Sequence, residues 1–366
     1  MTTTTTELTG TDEMGAPAPR AKRRGGGGGL GTYLVIRFLL IFPTVFILVT
    51  TVFVVMRSTG DPITAALGGR LTADELAARV HEAGYDRPLL AQYGEYLGNL
   101  LQGDFGTAVS DRRPITEVFV TFGAATLELT FYALLVAFVV GIPGGRLAAY
   151  FRDKYPDAAL RVFAIFCYAT PVFFSGLLLK LVFSIWLGWL PVAGRASTGA
   201  EIQLSTLQNS TGFYLIDAIK LGDPEVITDV LEHAVLPAVA LGLLTAGVFL
   251  RLVRTNVIGT LGMGYVEAAR SRVVPERRLL KKHAYRPALI PIITVIGLQI
   301  ALMLGGAVLT ETTFEWRGLG FQLAQYLNSR DFVAVQGIVA LLAVIVALTN
   351  FVVDVIAALI DPRVRY

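Results

Sequence analysis

Six long apolar stretches decide what this chain can become. They run from Tyr33 to Met56, Phe119 to Ala149, Val162 to Leu187, Ala234 to Val253, Ala288 to Leu309 and Ala334 to Leu359. Each is long enough to cross a bilayer, which takes about 20 mostly apolar residues. A membrane barrel would need strands of alternating hydrophobicity, and these blocks are continuous. The pattern predicts an all-α membrane protein with six transmembrane helices. Composition agrees: 54% of residues are hydrophobic and 16% charged, against about 25% charged in ordinary soluble domains.

Charge orients the spans. Arg20, Lys22, Arg23 and Arg24 precede the first, and Arg146, Arg152, Lys154 and Arg161 flank the second-to-third connection. The densest cluster, including Arg270, Arg272, Arg277, Arg278, Lys281 and Lys282, lies between the fourth and fifth. The two long segments on the other side, 57–118 and 188–232, are acidic. Basic loops stay in the cytoplasm, so both termini are expected there, as an even number of spans requires. Residues 1–32, rich in Thr, Pro and Gly, read as a disordered cytoplasmic tail. The first span then reads as a retained anchor, being too long for a signal h-region and lacking a small-x-small cleavage site behind it. Residues 33–366 form the six-helix domain.

Within 57–118, Thr72 to Ala83 predicts a helix with a Thr72–Glu75 capping box and a Gly84 stop. Leu90 to Leu101 predicts an amphipathic helix lying on the outer membrane face or on the spans. Segment 188–232, polar in its middle, predicts an external loop with little helix or sheet.

Several chemistries are excluded. A lone Cys167 rules out an internal disulfide or a multi-cysteine metal cluster, and His81, His233 and His283 lie far apart. The net charge of +3 gives no reason to expect nucleic acid. No Gly-x-x-x-x-Gly-Lys-Ser/Thr loop is present, so ATP is not bound in the P-loop manner. Gly141 to Gly145 is followed by Arg146 and reads as close helix packing. No paired carboxylates or Ser/His/Asp order appears. The chain is expected to be neither an enzyme nor a cofactor carrier. Glu128, Lys180 and Asp354 fall inside spans, where ionisable groups turn toward protein or a cavity.

The loop 254–287 carries the strongest pattern. Gly262 and Gly264 break the preceding helix, and Tyr265 to Arg272 forms a short one with Glu267 in its dipole-favoured first turn. Pro275 and Glu276 open a second, with Leu279, Leu280 and His283 on one face, and Pro287 ends it. The result is a basic helix-turn-helix held outside the membrane.

At these residues the chain resembles the permease subunits of ABC importers, whose cytoplasmic loop carries a Glu-Ala-Ala motif followed by a glycine. Glu267, Ala268 and Ala269 match; the glycine expected six residues after the glutamate is Val273 here, a departure in the turn between the two helices. Further elements in order are Gly60-Asp61-Pro62, Tyr85-Asp86-Arg87-Pro88-Leu89, Gly103-Asp104-Phe105-Gly106 and Thr126-Leu127-Glu128-Leu129. Then come Leu190-Pro191-Val192-Ala193-Gly194-Arg195, Glu311-Thr312-Thr313-Phe314, Gly318-Leu319-Gly320 and Asp361-Pro362-Arg363. Together they resemble the dipeptide/oligopeptide-type permeases, a group that includes nickel importers, over residues 33–366. Pro287 stands where the group commonly has asparagine.

The resemblance implies an ABC importer type I permease fold in the cell membrane, forming half of a translocation path for di- and oligopeptides. It implies a second homologous permease, two ATP-binding subunits (or one fused), an extracytoplasmic substrate-binding protein and membrane lipid as partners. It places coupling to the ATPase at Glu267, Ala268, Ala269, Val273, Pro275, Leu279, Leu280 and His283. Surface ion pairs contribute little, so Leu279 and Leu280 are expected to carry much of the docking. For Glu128 two roles stay open: a contact with a peptide's amine or backbone, or a hydrogen bond between helices. A nickel or other small-solute permease on the same scaffold is the alternative. A stand-alone carrier would need a carboxylate relay that the isolated Glu128 and Asp354 do not supply.

Overall fold

The computed structural model describes residues 30–69, 71–275, 278–279 and 285–360. Regular structure among them is helical, apart from an isolated bridge between Thr107 and Pro114. The tail 1–29, as well as Leu280 and His283, lies outside the described residues.

The first span joins α1 (Leu30–Leu39) to α2 (Ile41–Ser58). Their join precedes Pro43, whose missing N–H leaves the Leu39 carbonyl without its helical partner. Three short helices follow: α3 (Pro62–Leu67), α4 (Ala73–Glu82) and α5 (Leu89–Leu101). At the start of α4 the Glu75 carboxylate accepts from the Thr72 amide (3.0 Å) and hydroxyl (2.8 Å), and Gly84 beyond its end has φ +70°. The α5 helix lies on the first span. Its Tyr93 hydroxyl meets that of Thr50 at 2.6 Å, and the Phe53 ring contacts Tyr93 and Tyr96. Gln92 and Tyr96 turn inward, while Leu90 and Leu101 at the ends stay exposed.

The core is built on α6 (Ile115–Tyr150), the second span. Next come α7 (Tyr155–Ala169) and α8 (Val172–Leu179), the latter continuing as a π-helix over Lys180–Trp186. The expected third span is therefore not one rod: its halves are bent by 106°. The cause is local. Thr170 precedes Pro171 and is pushed to an extended ψ of 128°, which no helix continues through.

The expectation of a loop with little helix over 188–232 is wrong. It contains α9 (Thr198–Ser205) and α10 (Tyr214–Leu221), and the fourth span, α11 (Pro224–Leu261), begins ten residues before Ala234. The starts of α9 and α11 are capped: the Ser197 hydroxyl accepts from the Ala200 amide, and Asp223 accepts from the Glu225 amide ahead of Pro224 at the first helical position. Ala196, Ala200, Leu204, Ala218, Val226 and Val230 pack into a small core of their own. That core, not local periodicity, stabilises these short helices.

The remaining elements are α12 (Gly264–Ser271), α13 (Tyr285–Phe314), α14 (Leu319–Asn328) and α15 (Phe332–Ile360). Among the described residues, five single helices are long and apolar enough to cross a membrane, and the bent pair supplies a sixth crossing if taken as one.

Glycines set how closely α6 and α11 approach. A Cβ on Gly145 would lie 2.5 Å from the Leu250 carbonyl oxygen, and one on Gly242 the same distance from the Ala133 oxygen. The Gly141–Gly145 run is thus a packing seam, as its position suggested. In lipid, helices gain nothing from hydrophobic burial against one another, so such close contact drives their association.

Candidate functional site: a basic hairpin and a buried glutamate pair

The hairpin starts where α11 ends at Gly262 and Met263. In α12 the side of Val266 is buried, while Glu267 and Ala268 face outward and Ala269 is half-buried. Glu267 sits in the first turn, where its charge complements the helix dipole. Val273 follows with φ +58° and is 89% exposed. A β-branched residue rarely adopts that conformation, and glycine does so freely. The departure seen in sequence therefore falls at the one backbone position of this turn where glycine is the unstrained choice.

A new turn opens at Pro275, whose carbonyl accepts from the amides of Arg278 (2.8 Å) and Leu279 (3.0 Å). Leu279 is fully buried within the chain. This corrects the expectation that Leu279 presents itself for docking: an apolar side chain beside a packed bundle minimises free energy by turning inward. The exposed apolar groups of the hairpin are Met263, Tyr265 and Val273. Beneath it, Asp157 at the foot of α7 takes a bidentate pair from Arg254 of α11 (2.6 and 2.7 Å), which fixes the base of the hairpin.

At the opposite end of the spans two buried carboxylates each hold a short helix. Glu128 on α6 accepts from the Tyr132 hydroxyl (3.0 Å), Arg195 Nη2 (2.6 Å) and the amides of Tyr214 (3.3 Å) and Leu215 (2.9 Å). Those amides are the open N-terminus of α10, so the carboxylate meets both orphan donors and the positive end of the dipole. The Arg195 guanidinium stacks 3.6 Å over the Tyr214 ring. With four donors in place, Glu128 has no lone pair left for a substrate amine. These bonds tie α10 and the segment before it to α6, the hydrogen-bonding role that was one of the two left open for Glu128.

Glu311, near the end of α13, repeats the arrangement. It accepts from the Thr126 hydroxyl (2.6 Å) and from the Phe321 amide at the start of α14 (2.8 Å). Thr126 in turn accepts from the Leu319 amide (2.8 Å), and Trp316 Nε1 donates to the Ala125 carbonyl (2.9 Å). A Cβ on Gly318 would strike the Glu311 carboxylate at 2.5 Å, which accounts for glycine there. Sequence reading missed Glu311 as an intramembrane charge because its apolar block stops at Leu309. The signal available was the Glu311…Gly318-Leu319-Gly320 spacing.

The other two span charges have plain partners. Lys180 Nζ donates to the Thr313 carbonyl (2.8 Å) at the last turn of α13, a favoured place for a cation. Asp354 pairs with Arg37 (3.3 Å), tying α15 to the first span. In front of Arg195 lies a cavity of about 460 Å³, lined also by Glu201, Ser210, Thr211, Tyr214 and Arg317. Behind it Asp217 folds the 210–212 turn: burial raises its pKa, but hydrogen bonds from the Thr211 amide, the Ser210 and Thr211 hydroxyls and the Gly212 amide outweigh this and hold it below the usual range. No group of three or more His, Cys, Asp or Glu able to hold a metal occurs among the described residues.

The described residues thus form a bundle of membrane-length helices with a buried polar clasp toward one end and a projecting hairpin at the other. Residues 141–366 match the family model of the binding-protein-dependent transport system inner membrane component, and the chain belongs to that family of multi-pass permease subunits. It is similar to the di/tripeptide transport system permease protein DppB of Pseudomonas aeruginosa (strain UCBPP-PA14), with 37% identity over 92% of this chain and 99% of the relative. It is also similar to the dipeptide transport system permease protein DppB of Escherichia coli (strain K12), with 36% identity over 91% of this chain and 98% of the relative. Among solved structures it is similar to a chain of the MetNI methionine ABC transporter in an inward-facing conformation (17% identity, TM-score 0.47, 67% of this chain and 97% of that one).

Proposed function

We propose that the chain forms half of the translocation path of an ATP-driven importer of di- and oligopeptides. The observation that carries this is the similarity along nearly the whole chain to permeases named for di/tripeptide and dipeptide transport. In this reading the Arg/Lys-rich side is cytoplasmic, and so are both termini. A second homologous permease completes the path, an external binding protein delivers substrate, and two ATP-binding subunits drive it.

The hairpin from Gly264 to Leu279 receives the movement of an ATP-binding subunit through Glu267, Ala268, Ala269 and the Val273 turn. Pro275 starts the return toward α13, and the buried Leu279 transmits the displacement to the bundle rather than touching the ATPase. Leu280 and His283 are assigned to the same coupling role. ATP binding favours whichever span arrangement the closed ATPase pair binds more tightly, since a ligand shifts an equilibrium only by its differential affinity. The Glu128 and Glu311 clasps hold α10 and α14 as rigid pieces at the external end, beside the cavity at Arg195 and Arg317 through which substrate passes.

The test is uptake by the reconstituted complex with its binding protein. ATP-dependent accumulation of labelled dipeptides supports the proposal; ATP-driven accumulation of nickel without peptide overturns the cargo. Glu267→Lys reverses the charge at the hairpin's outward face and is expected to reduce uptake at least tenfold with membrane insertion unchanged. Wild-type uptake by that variant would sink the docking role.

A further inference from the structure

The end of the first span encloses a polar cavity of about 150 Å³ that transport does not explain. Its walls include Arg57, Tyr85, Gln92, Glu95, Tyr96 and Asp104. Arg57 Nε and Nη1, Gln92 Oε1 and the Tyr96 hydroxyl are buried there without a hydrogen-bond partner; the fifth such atom among the described residues is Arg195 Nε. Arg57 makes no ion pair with any described carboxylate. Its guanidinium lies between the rings of Phe53 (5.2 Å) and Tyr85 (4.5 Å). Glu95 pairs with Arg87 (2.6 Å) and Asp104 accepts from the Gly106 amide (2.8 Å), yet both also line the cavity. Each unmet buried group costs about 1–3 kcal/mol, so four in one place call for a polar occupant.

Two apolar grooves adjoin the cavity. Phe105 lines both the cavity and a groove of about 530 Å³ whose walls include Phe42, Phe46 and Leu97. Arg57 lines both the cavity and a groove of about 380 Å³ bounded by Phe53, Val54, Leu89 and Tyr93. One wall of each groove is the first membrane span, where the surrounding medium is hydrocarbon. Arg57 sits in the last turn of that span, and the end of a membrane-length helix meets the headgroup region.

We propose that this is a binding site for a zwitterionic phospholipid of the phosphatidylethanolamine class. The phosphate faces Arg57, the ammonium faces Glu95 and Asp104, and the acyl chains fill the two grooves. A simple anion would satisfy Arg57 but would lie against two carboxylates and leave the grooves unexplained. An aminophospholipid matches the cation, the paired carboxylates, the neutral acceptor of Gln92 and the apolar walls together.

The test uses the purified permease–ATPase complex. Lipid retained through detergent purification is measured by mass spectrometry, and thermal stability is measured after adding back phosphatidylethanolamine, phosphatidylglycerol or phosphatidylcholine. Phosphatidylethanolamine is expected to be retained and to stabilise most, because the trimethylammonium of phosphatidylcholine donates no hydrogen bond and phosphatidylglycerol has no ammonium. Arg57→Gln and Asp104→Asn are each expected to lower its retention about tenfold, the equivalent of about 1.4 kcal/mol for a lost charge-assisted contact. Val45→Trp fills the larger groove without touching the headgroup, and is expected to lower retention while the buried Cys167 stays unreactive. Equal response to the three lipids, unchanged retention in Arg57→Gln, or no retained lipid (a water-filled cavity) would each overturn the site.

Discussion

The Glu128–Arg195 pair offers the sharpest test of how the end of the bundle opposite the hairpin is held. Their side chains are 4% and 6% exposed and meet at 2.6 Å, with the remaining carboxylate valence spent on Tyr132 and the first amides of α10. Arg195→Met leaves a buried carboxylate facing two amides and a phenol without its cation. Breaking one partner of such a pair costs about 3–5 kcal/mol. With an unfolding entropy of about 2.1 cal/mol/K per residue, a chain of 366 residues shifts by about 1.3 °C per kcal/mol, so the melting temperature should fall by about 4–7 °C.

The chain supplies its own reporter, because its single cysteine, Cys167, is buried. A thiol-reactive dye therefore lights up only as the bundle opens. The double variant Glu128→Gln/Arg195→Met removes both charges while an amide oxygen still accepts from Leu215. It should recover part of the loss, and the recovered part measures the coupling. If Arg195→Met melts with the wild type, or the double variant is less stable than the two single losses added together, the clasp is not a charge pair and the reasoning fails.

Val273→Gly places glycine where φ is +58°, removing a strain of about 1–2 kcal/mol against glycine's entropic cost of about 0.5–1 kcal/mol. Proteolysis within 264–275 should slow, and faster cleavage would show that the valine is not strained. Gly145→Val drives a side chain into the Leu250 carbonyl and should destabilise by about 3 kcal/mol or more, whereas Gly199→Ala, with open space around it, should be neutral in the same dye assay. Asp217 is held below its ordinary pKa, so its stabilising bonds are present above the unfolded value near 4 and lost as pH falls through the lower folded value. Hydrogen exchange in 210–222 should accelerate only below about pH 4, and Asp217→Asn should show fast exchange at neutral pH as well.

Much of the architecture was written in local chemistry. The apolar blocks give the spans because each length matches the bilayer by itself. The Thr72–Glu75 cap and the helix after Gly262 are likewise set by residues three or four apart. The helices α9 and α10 were not legible, because eight-residue helices are marginal alone and persist only on the Ala196–Val230 core and the Glu128 clasp. The 106° bend had a visible cause in Thr170-Pro171, but its size depends on what α8 packs against.

Sequence alone determined that this chain lives in a membrane, where its charges concentrate and which loop projects, since hydropathy and charge act residue by residue. Tertiary structure alone decided that Leu279 points inward, that Glu128 is spoken for and that Glu311 pairs with Thr126 from 185 residues away. Those outcomes depend on which donors arrive from distant elements, and a carboxylate's role follows from the partners that fill its lone pairs.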